Sequence, residues 1–291
     1  MRRTRGETVF ALFNNAILLL LTIVTLYPIL HVLFASISDP NQLMKHSGLL
    51  LRPQGFSLAA YRIVLRNKLI LSGYMNTIFY VVTGTTINIV FTSLGAYVLS
   101  RSGFYWRKPI LLFIMLTMFV TGGMIPTFLV VEGLGMINTR WAIILPGAVS
   151  TYNMLIMRTG FASVHVSLEE SAKIEGADDF TILWRIFMPV CTPIIAVMVL
   201  FYGVAHWNAW FGAMIYLRSR NLYPLQLLLR EILIHNMLTE MNTNVEYLDL
   251  ERVGETIKYS TIAVVTLPIL MIYPFLQKYF VKGIMIGSVK E

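Results

Sequence analysis

The sequence predicts an all-α membrane protein with six transmembrane helices in one domain, residues 1–291. Of the 291 residues, 56% are hydrophobic and 13% are charged, and the mean hydropathy is +0.68. Soluble domains carry roughly 25% charged residues. A spanning helix needs about 20 mostly apolar residues. Six acid-free segments qualify, at about 10–37, 70–99, 109–131, 141–157, 188–208 and 259–280.

The first predicted span sets the orientation of the others. Arg2, Arg3 and Arg5 precede it, and short segments rich in Lys and Arg favour the cytoplasmic side. Its apolar run is too long for a cleavable signal peptide, and no small-residue cleavage site follows. An even number of spans then places both termini in the cytoplasm.

The loops are unequal in length. The outer loop after the first span contains Asp39-Pro40-Asn41, which indicates a turn. The loop at about 209–258 is too long for a simple connection, and such loops are usually functional. Within it, residues 222–237 are apolar but interrupted by charges and a proline, which favours an amphipathic surface helix over a seventh span.

A polar elbow at about 167–189 separates the fourth and fifth spans. Ser167 and Glu170 fit the S-x-x-E capping box that opens a helix. Gly176 can adopt the left-handed conformation that ends that helix. Asp178 or Asp179 can cap a second helix. The pattern predicts a helix–turn–helix that contacts another protein at the membrane surface.

The second helix of the elbow is predicted to be amphipathic. Its apolar residues repeat at helical spacing and form one face: Phe180, Leu183, Trp184 and Phe187. Pro189 suits the first turn of the next span, where its missing N–H costs little.

The elbow resembles a motif of bacterial ABC importer permeases: E-A-A, three residues, G, nine residues, I-x-L-P. The matching residues are Glu170-Ser171-Ala172, Gly176 and Ile186-Phe187-Met188-Pro189, with both spacings kept and with Ser171 and Met188 departing from the pattern. Residues 175–177 and 277–283 are similar to the carbohydrate-uptake branch, notably the second permease of maltose-type and oligosaccharide or polysaccharide importers.

This resemblance implies a type I ABC importer transmembrane domain with a cytoplasmic coupling helix, in the bacterial cytoplasmic (inner) membrane. The residues implied to couple to the ATPase are Glu170, Ser171, Ala172, Gly176 and Ala177. Glu170 can pair with an arginine of the partner, act as a cap, or do both. The implied partners are a homologous second permease, two ATP-binding subunits and an extracytoplasmic solute-binding protein. ATP and Mg²⁺ would bind the ATPase subunits, and the cargo would be a carbohydrate.

Sequence patterns of other activities are absent. There is no G-x-x-x-x-G-K-[ST] loop, no nucleophile motif and no metal-type histidine spacing, so no catalytic or metal residue is assigned. Cys191 is the single cysteine. The net charge of +8 favours anionic lipid headgroups rather than nucleic acid as a partner. Two alternatives stay open: the same importer for an amino acid, peptide or osmolyte, and a stand-alone ion-coupled carrier or channel, which the lack of carboxylates within the spans disfavours.

A sugar path needs aromatic faces and hydrogen-bonding side chains at an aqueous cavity. The candidates are Tyr80, Asn88, Tyr152, Asn153, His206, Trp207, Asn208 and Trp210. Each could instead belong to an aromatic belt or a helix–helix contact. The cluster at the end of the fifth span, residues 206–210, is the strongest candidate.

Overall fold

A computed structural model describes residues 5–241 and 254–271, which form helices and no strand. These residues divide into two compact units. The first contains residues 5–68, 229–241 and 254–267, and the second contains residues 69–228 and 268–271. The all-helical class predicted from the sequence is confirmed.

The first unit contains a long apolar helix, α1 (Arg5–Ser36), which covers most of the first predicted span. Two short helices follow, α2 (Pro40–Lys45), which Asp39 caps through its side chain, and α3 (Ala59–Arg66). The hydroxyl of Ser260, in the helix over residues 254–271, donates to the Ser36 carbonyl at 3.0 Å.

The second unit is built around α4 (Lys68–Ser100), which is also long and apolar enough to cross a membrane. The third predicted span is divided into α5 (Arg107–Leu116) and α6 (Met124–Gly133). Residues 117–123 separate the two helices, and Gly123, the last of them, has a φ of +81°, which is incompatible with a right-handed helix. A continuous span over 109–131 was therefore a wrong prediction.

The fourth predicted span is also discontinuous. It consists of α7 (Trp141–Ile144), a 3-10 turn at Leu145–Gly147 and α8 (Thr151–Ala162). Pro146 lies in the turn, and a proline cannot donate the backbone hydrogen bond that a continuous helix needs. Two of the described helices are long and apolar enough to cross a membrane. A third span is counted if the bent pair of helices at residues 179–190 and 192–207 is one span, so the number six stays a prediction.

The elbow and the last helices complete the described chain. After α8 come α9 (Val166–Ile174), α10 (Asp179–Ile182), a π turn at Leu183–Phe187, α11 (Met188–Val190) and α12 (Thr192–Trp207). Next are α13 (Phe211–Tyr216), a 3-10 turn at Arg220–Leu222 and α14 (Leu225–Met241).

The helix predicted at 222–237 corresponds to α14, but its first turn is not a surface element. Leu225, Leu227 and Leu228 are 0–4% exposed. The rest of the predicted outer loop includes residues 242–253, which lie outside the described residues, as do the end of the sixth predicted span and the carbohydrate-type tail at 277–283.

The core of the second unit lies where α4, α8, the π turn and α12 meet. Its large, fully buried members include Phe161, Phe187, Met157 and Met198. Phe187 makes edge-to-face contacts with Tyr97 at 5.1 Å and with Phe161 at 5.7 Å between ring centroids. Such aromatic pairs have preferred geometries and stabilise a core beyond the contribution of the buried area alone. They therefore help to position the elbow against α4 and α8.

Candidate functional site

The first helix of the elbow, α9, begins two residues earlier than its capping box predicted. His165 is the N-cap, with extended backbone angles (φ −63°, ψ 134°), and its Nδ1 accepts from the backbone N–H of Ser167 at 3.4 Å. Ser167 therefore lies inside the first turn, and the predicted box with Glu170 was wrong. The imidazole of His165 fills the acceptor position that the sequence pattern assigned to the serine hydroxyl.

The exit of α9 is as predicted. Gly176 has a φ of +86°. Its N–H donates to the Lys173 carbonyl at 3.0 Å, and the Ala177 N–H donates to the Ala172 carbonyl at 2.9 Å. This pair of bonds is the Schellman motif that closes a helix. No atom lies within 4 Å of an added Cβ at Gly176, so backbone conformation rather than space requires glycine here.

The second helix of the elbow is capped by Asp178, one of the two predicted candidates. Its carboxylate accepts from the Thr181 N–H at 3.3 Å and from the Thr181 hydroxyl. The hydroxyl bond from Thr181 lowers the pKa of Asp178 below its usual value, so this cap is ionised at neutral pH. Asp179 occupies the first turn instead.

The apolar residues of the second helix do not form the single face that was predicted. Leu183 and Phe187 are buried, whereas Phe180 is 64% exposed and Trp184 is 39% exposed. A π turn begins at Leu183 and places an extra residue in the turn. Trp184 and Phe187 lie within this wider turn, so the spacing of a regular α-helix does not set their faces; Phe180 lies before it.

The fifth span starts later than Pro189. The helical run over residues 179–190 and α12 meet at an angle of 88°, with Cys191 at the break. Pro193 rather than Pro189 lies in the first turn of α12. Prolines and π turns are both common causes of helix bends, and here Pro189 follows the π turn. The elbow therefore ends in a bend of 88°.

Arg101, directly after α4, contacts three other segments. Its Nη1 donates to Glu169 Oε2 of α9 at 2.7 Å, and its Nη2 donates to the Phe161 carbonyl of α8 at 2.7 Å. Its Cζ lies 4.4 Å from the ring centroid of Phe187 in the π turn. Both side chains of the Arg101–Glu169 ion pair are largely buried, at 14% and 12% exposure. Charge-assisted bonds of this length are strong.

Glu169 has a second cationic partner in Lys173, whose Nζ donates to Oε1 at 2.7 Å. Burial raises the pKa of Glu169, but the hydrogen bonds from Lys173 and Arg101 outweigh it and hold the pKa below its ordinary value. The bond to Glu169 in turn raises the pKa of Lys173. Nearby, the Tyr97 hydroxyl of α4 donates to Asp179 Oδ1 at 3.2 Å. The sequence interpretation missed this network.

The residues predicted to couple to the ATPase divide into an outer and an inner set. Glu170, Ser171 and Gly176 are exposed, whereas Ala172 is 8% exposed and packs into the core. Ala177 is half-buried. The most protruding apolar residue of the elbow is Ile174, at 87% exposure, which the sequence interpretation did not select. We call Glu170, Ser171 and Ile174 the outer face of α9.

Two of the predicted sugar-path residues meet inside the second unit. Asn88 Oδ1 lies 2.7 Å from His206 Nε2, and the Asn88 amide donates to the carbonyls of Gly147 and Ala148 at 2.6 and 2.9 Å. These carbonyls belong to the break in the fourth span. Backbone groups freed within a span need a partner from the protein or from water in a cavity, and Asn88 provides one here.

The break has a further partner that the sequence interpretation did not select. The Tyr202 hydroxyl of α12 accepts from the Ser150 N–H at 3.2 Å and lies 2.7 Å from the Thr92 hydroxyl of α4. Ser150 itself caps α8 through its side chain. A tyrosine with an apolar body and one polar tip suits this position, but its sequence context does not distinguish it from other tyrosines.

The other candidates lie in different surroundings. The Tyr80 hydroxyl donates to the Leu222 carbonyl at 2.8 Å. Asn153 and Trp207 are buried at 8% exposure, and Trp207 Nε1 has no hydrogen-bond partner among the described residues. The candidates with substantial exposure are Tyr152, Asn208 and, in part, Trp210. Their part in a sugar path stays a prediction.

Comparison with known proteins identifies the family. Residues 89–286 match the family described as binding-protein-dependent transport system inner membrane component. The polygalacturonan/rhamnogalacturonan transport system permease protein YtcP of Bacillus subtilis (strain 168) is 37% identical over 97% of this chain and 98% of its own. Protein LplC of the same organism is 37% identical over 100% and 98%.

A solved structure agrees with these relatives. A chain of a bacterial ABC transporter involved in the import of the acidic polysaccharide alginate superposes with a TM-score of 0.87 at 32% identity, covering 96% of this chain and 99% of that chain. With the elbow geometry described above, these similarities show that the chain belongs to the family of binding-protein-dependent transport system inner membrane components, as a permease subunit of an ABC importer rather than an enzyme.

Proposed function

We propose that this permease takes up a carbohydrate, specifically an oligosaccharide, by alternating access after a solute-binding protein delivers it. The carbohydrate class is supported by the names of similar proteins. Besides the polygalacturonan/rhamnogalacturonan and alginate systems, they include the arabinooligosaccharides transport system permease protein AraQ of Bacillus subtilis (strain 168), which is 25% identical over 100% of this chain.

The observation that carries the coupling role is the outer face of α9. Ile174 is 87% exposed beside the exposed carboxylates of Glu170 and Glu175. An apolar side chain with two carboxylates near it suits a pocket that is apolar inside and basic at its rim. The opposite side of α9 is packed into the core through Ala172. A partner that grips the outer face can therefore move a helix that is already attached to the spans.

We infer that this partner is one of two ATP-binding subunits, which bind ATP and Mg²⁺. A homologous second permease completes the pathway, and the solute-binding protein docks on the opposite side of the membrane. The elbow then faces the cytoplasm, both termini lie in the cytoplasm, and the basic surface meets anionic lipid headgroups.

Reconstitution tests the cargo. The permease, the second permease, the ATP-binding subunits and the solute-binding protein are placed in proteoliposomes containing ATP. We expect uptake of a labelled oligosaccharide, tested as an oligogalacturonide and as an arabino-oligosaccharide, and no uptake of a dipeptide, an amino acid or betaine. Uptake of the dipeptide, the amino acid or betaine, without uptake of either oligosaccharide, would show that the cargo is not a carbohydrate. Uptake without ATP-binding subunits would instead indicate a stand-alone carrier.

A further inference from the structure

The largely buried ion pair between Arg101 and Glu169 is by itself weak evidence for a stabilising role. Replacing a buried ion pair with apolar residues is often neutral or stabilising, because both charges lose their hydration. Glu169 is also the carboxylate of the elbow that faces inward, whereas docking would use Glu170 on the outer face. The position of the pair, between the last residues of α4 and the middle of α9, indicates a role in movement.

Two turns flank α9. The segment between α8 and α9 spans residues 163–165, and the Schellman turn at Gly176 follows α9. Between these turns, Ala172 holds α9 to the core by apolar packing, which is not directional. The bond between Glu169, near the centre of α9, and Arg101 adds a directional connection to that packing.

We propose that Arg101 is a positioning residue that transmits movement of α9 to α4 through Glu169. This inference rests on the proposed docking of an ATP-binding subunit on the outer face of α9. Arg101 follows α4 without a gap, so displacement of its guanidinium acts on the end of that helix. The bond to the Phe161 carbonyl also connects Arg101 to the end of α8, and the contact with Phe187 connects it to the π turn.

The chemistry of arginine suits this position better than that of lysine. A guanidinium donates in several fixed directions in one plane and stacks on an aromatic ring. Here its Nη1, Nη2 and Nε donate to Glu169, Phe161 and Ser100, respectively. A lysine ammonium at this place would retain the charge for Glu169 but would lose the fixed geometry that joins the other segments.

Tyr97 provides a weaker connection for comparison. Its bond to Asp179 is 3.2 Å long, and the Asp179 side chain is 71% exposed. Polar interactions at exposed groups contribute little, because water competes for them. Tyr97→Phe removes this bond and retains the ring that packs on Phe187. The variant measures how much the second connection adds to the first.

The test uses the complete transporter in proteoliposomes and measures how much sugar-loaded binding protein stimulates its ATPase activity, normalised to assembled complex. The variants are Arg101→Gln, Arg101→Lys, Glu169→Gln, the double variant and Tyr97→Phe. Lys108→Gln is the control, because Lys108 is an exposed cation near Arg101 in sequence.

We expect stimulation to fall about tenfold in Arg101→Gln and in Glu169→Gln, since each removes the charge-assisted bond that joins α9 to the end of α4. The double variant should fall no further, because the two residues act as one connection. Arg101→Lys should retain part of the stimulation, Tyr97→Phe most of it, and Lys108→Gln all of it.

Two results would overturn the inference: wild-type stimulation in assembled Arg101→Gln and Glu169→Gln transporters, or losses that simply add in the double variant. If Arg101→Gln does not assemble, Arg101→Lys decides, and unchanged stimulation in that variant counts against transmission. A wild-type transporter that no loaded binding protein stimulates would instead contradict the proposed function.

Discussion

Glu169 and Glu170 are adjacent in sequence but lie in opposite environments. Glu169 is buried and accepts from Arg101 and Lys173, each at 2.7 Å, whereas Glu170 is exposed on the outer face of α9. The helix therefore presents one carboxylate to its own protein and offers the next to a partner. This arrangement would separate the attachment of α9 to the spans from the proposed docking of an ATP-binding subunit.

Glu170 is expected to determine assembly with the ATP-binding subunit. Glu170→Lys places a cation against a basic rim, so co-purification of that subunit should fall. Glu170→Gln removes only the charge and should have a smaller effect, of about 1 kcal/mol, as for an exposed ion pair. Co-purification in detergent measures both, with Lys108→Gln as the control. Equal and mild losses in the two variants would contradict a charged contact.

Gly176 is expected to tolerate few side chains, although there is space around it. A β-branched residue at a φ of +86° is strained, by roughly 1–2 kcal/mol or more, so Gly176→Val should reduce ATP-driven uptake while membrane insertion persists. Gly176→Asn should be milder, because asparagine enters this region more easily. Gly133→Ala, which adds a methyl group in open space at the end of α6, is the control. Normal uptake in Gly176→Val would show that the left-handed exit is dispensable.

Asn88 is expected to stabilise the break in the fourth span. Asn88→Leu leaves His206 and the carbonyls of Gly147 and Ala148 without this partner, at a cost of about 1–3 kcal/mol for each unsatisfied group. The thermal midpoint of the purified permease should fall. Thr86→Val is the control, because the exposed Thr86 hydroxyl bonds only within its own helix, to the Val82 carbonyl. An unchanged midpoint in Asn88→Leu would mean that water satisfies these groups.

Gly84 is expected to be required for the close approach of α12. A methyl group at Gly84 would lie 2.5 Å from His206 Nε2, the atom that meets Asn88. Gly84→Ala should therefore displace the ring and lower the free energy of unfolding by about 1–3 kcal/mol, as for an overpacked core. The thermal midpoint should fall accordingly. Gly203→Ala faces Thr85 Oγ1 at 3.8 Å and should be tolerated. Equal midpoints in the two variants would indicate that α12 shifts freely.

Local signals explain what the sequence could predict. The long helices α1 and α4 correspond to uninterrupted apolar runs, and Gly176 ends α9 because few other residues adopt its conformation. The breaks near Gly123 and Pro146 were missed, because apolar composition reports membrane depth and not helix continuity. Asn88 and Tyr202 come from distant segments to satisfy the second break, and a single sequence does not reveal such contacts.

In the elbow site, too, local features could be predicted from the sequence, whereas contacts between distant segments could not. Arg101 and Glu169 are 68 residues apart, so their ion pair depends on how α4 and α9 pack. Arg101 was not among the residues selected from the sequence. The single-face prediction for the second elbow helix failed at the π turn, because one extra residue in a turn changes the direction of every later side chain.

Cross-linking from Ile174 tests most directly whether the outer face of α9 is the docking surface. In a Cys191→Ser background, which removes the single native cysteine, Ile174→Cys is treated with a short thiol-to-amine cross-linker in membranes containing the complete transporter. Arg218→Cys, at an exposed residue of the predicted outer loop, is the control. We expect Ile174→Cys to capture the ATP-binding subunit with a yield that changes on adding ATP, and Arg218→Cys not to capture it. No ATP-binding subunit captured from position 174, with the complex intact by co-purification, would contradict the account.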